Sequence, residues 1–210
     1  MPAMTRRRRQ RIGLLGGTFN PVHIGHLLIA QDALEQLELD GVTFIPCAAP
    51  PHKAAPNLAS GPHRLAMLRW AVRGQRAFRV DDIELRRGGV SYSVDTVTEL
   101  KRRNPDTEFY FIIGADSLDE LHRWKEIGRL AEMCEFVAVA RPGCKLRRAY
   151  RQARCRLVQG HACDVASREI RERVARGAGI RYLVPETVLR YIARHKLYQR
   201  KGTTSSKRAS

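Results

Sequence analysis

The chain has 210 residues and a mass of 23.8 kDa, enough for one well-packed core and short for two. Hydrophobic residues at 43% and charged residues at 28% exclude wholesale disorder. The formal net charge is +17, but residues 1–11 hold five arginines and residues 196–210 five cations, neither with an acid. The body between them is therefore only mildly basic, which suits a phosphate-rich ligand as well as nucleic acid.

In chain order, residues 1–10 read as a disordered basic tail and 11–15 as a short apolar strand running into Gly16-Gly17. Residues 12–31 carry no Asp, Glu, Lys or Arg, yet Asn20, Pro21, His23 and His26 exclude a membrane span. The apolar run is also too short for a signal peptide. Residues 24–39 place Leu27, Leu28, Ala30, Leu34 and Leu37 at helical spacing. A second strand follows at 42–47, and the Pro- and Ala-rich stretch 48–61 reads as a loop or lid. Helix is expected at 63–73, with Met67 and Trp70 in the core, and extended chain at 78–85. Residues 93–103 form a helix that stops before Pro105, and 108–113 form a buried strand ending at Gly114. Helix or two short helices are expected over 116–133, with strands at 135–140 and 156–159. Residues 166–176 and 186–195 close the chain as helices before a second disordered basic tail at 199–210.

Strand-then-helix alternation predicts one α/β domain over 11–198: a Rossmann-like parallel sheet with helices on both faces and ligands at the carboxyl ends of its strands. Five cysteines, odd in number and without a C-x-x-C pair, read as free thiols in a reducing cytoplasm. Cys155, His161 and Cys163 lack the second pair of a zinc site and read as free residues.

Chemistry concentrates in Gly16-Gly17-Thr18-Phe19-Asn20-Pro21-Val22-His23-Ile24-Gly25-His26, where the first strand hands over to a helix. Gly16 and Gly17 let a ligand approach the backbone. Asn20 and Pro21 look like an N-cap and first-turn pair, aiming free N–H groups and the positive end of the helix dipole at an anion. His23 and His26 lie three apart, on one helical face, with Gly25 keeping that face open. Beside an anion they donate hydrogen bonds and gain positive charge. Neither G-x-G-x-x-G at this turn nor G-x-x-x-x-G-K-[ST] anywhere is present, so a dehydrogenase fingerprint and a P-loop are excluded.

This segment resembles the signature of the nucleotidylyltransferase superfamily, whose H-x-G-H core is shared with class I aminoacyl-tRNA synthetases. Within it the chain is similar to the bacterial nicotinate/nicotinamide mononucleotide adenylyltransferase family over almost the whole body. Pro50-Pro51-His52-Lys53, Arg64-Leu65-Ala66-Met67, residues 84–96 with Ser91-Tyr92-Ser93, Gly114-Ala115-Asp116-Ser117 with Trp124, and Arg141-Pro142-Gly143 follow in the family's order. Leu183-Val184-Pro185, Tyr191-Ile192 and Leu197-Tyr198 resemble its closing helix. Two motifs depart from it. The first motif's usual Asp is Asn20, which keeps a cap but removes a charge. The late Ile-Ser-Ser-Thr-x-Ile-Arg is Val165-Ala166-Ser167-Arg168-Glu169-Ile170-Arg171, so only Ser167 and Arg171 carry over, with Arg168 left between a phosphate contact and a solvated helix start.

The resemblance implies transfer of AMP from ATP to the 5′-phosphate of nicotinate mononucleotide, giving deamido-NAD and pyrophosphate. It assigns catalysis to His23, His26, Ser167 and Arg171, and ATP and phosphate binding to Gly16, Gly17, Thr18, Phe19 and Lys53. Nicotinate mononucleotide falls to Tyr92, Ser93, Asp116 and Trp124, with Trp124 also readable as a core anchor and Asp116 as the N-cap of the next helix. One Mg2+ ion bridging phosphates is expected, held by substrate and water and not directly by protein. Partners are the two nucleotides, with no membrane; tail contact with nucleic acid has no expected functional role, and homo-oligomer formation is open. The alternatives are another acceptor, nicotinamide mononucleotide or phosphopantetheine, and, ranked below them, a nucleic-acid-binding protein. A tRNA synthetase is disfavoured because no length remains for an anticodon-binding domain.

Overall fold

The computed structural model describes residues 8–49, 57–140 and 154–200. Among them are strands β1 (Arg11–Gly17), β2 (Gly41–Pro46), β3 (Phe78–Val80), β4 (Glu108–Gly114), β5 (Glu135–Ala140) and β6 (Cys155–Gln159). The helices are α1 (Ile24–Gln36), α2 (Gly61–Ala71), α3 (Ile83–Arg87), α4 (Ser93–Arg103), α5 (Ile127–Met133), α6 (Ser167–Ala175) and α7 (Glu186–Arg194), with a 3-10 segment at Ala115–Arg123.

All strand pairs are parallel, in the order β3-β2-β1-β4-β5-β6. Period-two alternation divides each central strand between two cores. Leu15, Tyr110, Ile112, Val137 and Val139 face one core, built with α1, α2, α6 and α7. Leu14, Phe109, Phe111, Phe136 and Ala138 face the other, built with α3, α4, the 3-10 segment and α5. The chain moves from β1 outward to β2 and β3, then returns to place β4 on β1's other side. That reversal opens a crevice above the carboxyl ends of β1 and β4, where doubly wound sheets bind ligands. Gly16, Gly17 and Gly114 stand at this edge.

The expected elements are present, with three corrections. Extended chain ends at Val80 instead of residue 85, because the Asp81 carboxylate accepts the Ile83 N–H (2.9 Å) and Asp82 O accepts that of Arg86 (2.9 Å), turning Ile83–Arg87 into helix. Helix α1 stops at Gln36, and Glu38, at φ 48°, folds the chain back so that Leu39 N–H meets Leu34 O. Met67 is fully buried as expected, but Trp70 is 41% exposed. It lies on the outer face of α2 under the Arg73 guanidinium, 5.1 Å from the ring centre, while Arg64, Met67 and Leu68 face inward.

At the opposite end of the sheet, residues 8–10 of the expected first tail run along the strands. Arg8 pairs with Asp40 (3.0 Å), and Gln10 O accepts the Glu108 N–H. The rest of that tail, residues 50–56 of the Pro-rich stretch and the tail beyond residue 200 lie outside the described residues. No helix among the described residues is long and apolar enough to cross a membrane.

Candidate active site

The crevice is a cleft of about 770 Å³. Gly16, Gly17, Thr18, His23, His26, Ser93, Trp124 and Ser167, far apart in sequence, all line it. On one side the α1 start and the α6 start meet. His23 and His26 stack with ring centres 3.7 Å apart, and the edge of Phe19 supports His26 at 4.9 Å. Gly25 lets the turn pack closely: a Cβ would stand 3.2 Å from His23 Nδ1 and 3.4 Å from Cys163 Sγ, tight enough to press on the imidazole.

The N-cap of α1 is His23, not Asn20. Asn20 is occupied otherwise. Its Nδ2 donates to Asn57 O (3.2 Å), and its Oδ1 accepts from Ala59 N–H (3.0 Å) and Tyr198 Oη (2.8 Å). An aspartate has no hydrogen to give Asn57, so the departure from the family pattern matches the partners this turn has. The Tyr198 hydroxyl, buried by this contact, has its pKa pushed up by burial, with Arg171 and Arg64 pulling weakly the other way.

The His23 N–H points at His26 Nδ1 (3.3 Å). Nδ1 is therefore the acceptor, and the neutral His26 ring carries its hydrogen on Nε2, ready to donate. Burial, and then the neighbouring His23, hold the His26 pKa well below the usual histidine value. Above about pH 6.5, folded and unfolded chains both leave this ring neutral; below it only the unfolded chain takes the proton, so stability falls as pH drops. The midpoint of thermal unfolding should decline between about pH 7 and pH 5, and less steeply in His26→Gln. Equal slopes for the two proteins would contradict the assignment.

From the α6 side, Ser167 Oγ donates to Pro21 O (2.8 Å) and Arg171 Nη1 to Asn20 O (2.8 Å), pinning α6 to the histidine turn. Arg168 is 82% exposed and paired with Glu172 (2.8 Å), the arrangement of a solvated helix start. Phe19 is buried in the core at φ 47°, so it supports His26 from behind and is not in the cleft wall.

On the other side, Trp124 packs edge-on against Phe111 (5.6 Å) and Phe136 (6.2 Å) and still lines the cleft, so core anchor and cleft wall hold together. Tyr92 is the N-cap of α4 and lies under the Lys125 ammonium, 4.6 Å from its ring centre, beside the cleft and not in its wall. Asp116 lies inside the 3-10 segment after β4; the N-cap there is Gly114, which corrects the capping reading. Lys53 lies outside the described residues.

The sequence reading missed two groups. Arg64, 1% exposed, donates to Ala59 O (3.0 Å), Thr18 O (2.8 Å) and Ala48 O (3.4 Å), tying the turn after β1 to the exit of β2 and the start of α2. Asp32, 3% exposed on α1, is bound to His161. Its signal was a carboxylate inside the apolar stripe of α1. Among the described residues no group of three or more His, Cys, Asp or Glu side chains could hold a metal ion. The cleft's buried carboxylates are committed, Asp32 to His161 and Glu84 to Thr96 (2.7 Å).

A cytidylyltransferase-like family model matches residues 14–173. A probable nicotinate-nucleotide adenylyltransferase of Exiguobacterium sibiricum is 50% identical over 188 residues, spanning 90% of this chain and 98% of the relative. One of Halalkalibacterium halodurans is 45% identical over 206 residues, spanning 96% and 99%. The chain belongs to the nicotinate-nucleotide adenylyltransferase family. The fold is also that of the Plasmodium falciparum nicotinic acid mononucleotide adenylyltransferase solved with NaAD, at a TM-score of 0.75, 17% identity and coverage of 90% and 98%. The histidine turn, Ser167 and Trp124 thus line one crevice in this chain, and Arg171 is bonded to the Asn20 carbonyl of that turn without being in the crevice wall.

Proposed function

We propose that this chain transfers AMP from ATP to nicotinate mononucleotide, forming deamido-NAD and pyrophosphate as a step of NAD biosynthesis in the cytoplasm. A phosphate oxygen of the mononucleotide attacks the α-phosphorus of ATP, and the bond from that phosphorus to the α,β-bridging oxygen breaks. The nucleophile belongs to the substrate, so the protein has to hold two polyanions in line and neutralise charge on the leaving pyrophosphate. The observation that carries this reading is the convergence of two stacked imidazoles and the α6 start on one side of a cleft whose other side is walled by Trp124.

His26 Nε2 and the His23 ring meet the ATP phosphates at the start of α1, where the helix dipole adds to them. Arg171 uses one donor on Asn20 O, and the guanidinium has four more for phosphate. Lys53 would add charge from the Pro-rich stretch, and the backbone of residues 16–19 would follow the phosphates. Trp124 offers the pyridine ring an aromatic surface, while Tyr92 and Ser93 at the α4 start lie toward its carboxylate. Asp116 takes a ribose hydroxyl or a metal-bound water in this scheme. Asp32 and Glu84, the buried carboxylates of the cleft, already have partners, so a divalent cation, magnesium in this proposal, would be held by substrate and water. When bound it supplies charge neutralisation to the leaving group.

Pyrophosphate release from Mg-ATP, measured with nicotinate mononucleotide, nicotinamide mononucleotide and phosphopantetheine, tests the assignment. The nicotinate compound is expected to be the fastest acceptor, and a higher rate with either of the others would move the chain to that reaction. Trp124→Ala should raise KM for nicotinate mononucleotide by roughly tenfold, the scale of one lost aromatic contact, with KM for ATP little changed. Equal losses for both substrates would assign Trp124 to the core alone.

A further inference from the structure

We propose that His161, oriented by Asp32, is the residue through which the cleft reads the purine of its nucleotide, accepting a hydrogen bond from the exocyclic amine of adenine. The inference rests on the adenylyl-transfer reading above and adds a specificity-determining residue to it.

The pair is built with care for so exposed a histidine. Asp32 lies on α1 at 3% exposure, and both of its oxygens go to one residue: Oδ2 accepts the His161 backbone N–H (2.9 Å) and Oδ1 meets His161 Nδ1 (2.6 Å). One turn further along α1, the Gln36 amide makes a reciprocal pair with Gln159, donating to its carbonyl (2.7 Å) and accepting its N–H (3.1 Å). Four hydrogen bonds from one helix face thus fix three consecutive residues at the end of β6. Gly160 between them is required by close approach, since a Cβ would stand 2.8 Å from Val139 Cγ1 and 2.9 Å from Ala140 O. The His161 side chain nevertheless remains 68% exposed and lines the cleft. An ion pair serving stability alone would gain little from holding an imidazole in the open.

The chemistry of the free nitrogen follows from the bound one. A carboxylate only accepts, so Nδ1 carries the hydrogen, and when the ring is neutral its Nε2 is a lone-pair acceptor on a side chain that lines the cleft. Its place in the cleft selects the donor. Asp32 lies six residues beyond His26, roughly 9 Å along the α1 axis from the phosphate cradle, about the length of a nucleoside. The acceptor half of the cleft belongs to Trp124 and Ser93, whose elements pack on the opposite face of the sheet. What remains includes a wall of Leu28, Ile29, Val139 and Ala140 with His161 beside it, an apolar surface with a polar group to orient a nucleobase. Adenine presents an N–H donor on its six-membered ring where inosine presents a carbonyl oxygen, so a fixed acceptor distinguishes the two.

The test is calorimetric titration of ATP and of ITP into the full chain and into His161→Ala, without acceptor, together with steady-state rates under saturating nicotinate mononucleotide. The full chain should prefer ATP by roughly three- to tenfold, the scale of one neutral hydrogen bond. His161→Ala should lose that preference by weakening ATP alone, with kcat and the KM of the acceptor unchanged within about twofold. Asp32→Asn satisfies only one of the two donors of His161 and should lose part of the preference. Equal weakening of ATP and ITP in His161→Ala, or no weakening of either, overturns the proposal, and an unchanged preference in Asp32→Asn removes Asp32 from it. Binding is read without turnover, so a chain that discriminates ATP from ITP but releases no pyrophosphate with nicotinate mononucleotide would refute the proposed reaction and leave the purine reading standing.

Discussion

Replacing His26 by alanine is expected to lower kcat at least about a hundredfold while leaving the fold intact, the usual scale for one preorganised donor at a developing charge. The geometry makes this donor special. His26 Nδ1 is taken by the His23 N–H, so Nε2 carries the ring hydrogen and its direction is fixed by the helix start. Phe19 packs edge-on against the ring and His23 stacks on it, so the imidazole arrives at the phosphate without reorganisation. A lowered His26 pKa does not oppose this role, because a neutral imidazole with its hydrogen on Nε2 is already a donor. An incoming triphosphate then favours the charged form and adds Coulomb attraction to the hydrogen bond. Single-turnover rates with saturating Mg-ATP and nicotinate mononucleotide, beside circular dichroism of the variant, measure the effect. A folded His26→Ala enzyme within tenfold of the parent rate would end the assignment. His26→Gln, which offers an amide donor, should recover part of the loss.

Much of this site was legible in the sequence because its parts obey local rules. The strand, the paired glycines and two histidines three apart are short-range features, and the unbroken apolar runs of β4 and β5 announce burial on both faces. Features that depend on partners distant in the chain were not legible. Asn20 precedes a helix and has a capping side chain, yet its amide is spent on Asn57, Ala59 and Tyr198, and His23 caps instead. The helix at Ile83–Arg87 was hidden by Phe78–Val80, whose strand character masks the turn that Asp81 makes two residues later. Trp70 shows the limit of composition: a large aromatic was expected inside, and the helical phase that buries Arg64 and Met67 turns it outward. Asp32 and His161 stand 129 residues apart, and no local pattern joins them.

Arg64 is the other position where a single change should be severe, this time in stability. Its guanidinium lies at 1% exposure and donates to three carbonyls of three segments: Ala59 before α2, Thr18 in the phosphate turn and Ala48 after β2. A charged group is buried at this depth only when its hydrogen bonds are met. Glu84, also buried, and Arg64 pull in opposite directions on the Cys47 thiol, whose pKa burial pushes up. Arg64→Ala strands at least two carbonyls in a dry wall and leaves a cavity. At about 1–3 kcal/mol for each unsatisfied group, the loss should be on the order of 3–5 kcal/mol. That is a large part of the total for a domain of this size, and the thermal midpoint should drop by roughly 10 °C or more. Lysine keeps the charge but not the planar fork, so Arg64→Lys can satisfy the Thr18 and Ala59 carbonyls only in part and should fall between the parent and alanine. Because Thr18 belongs to the phosphate turn, KM for ATP should rise in Arg64→Lys at temperatures where it stays folded, with KM for the acceptor less affected. Urea unfolding that shows less than about 1 kcal/mol between parent and alanine variant would mean that water replaces the guanidinium at those carbonyls, and that the turn holds its shape without it.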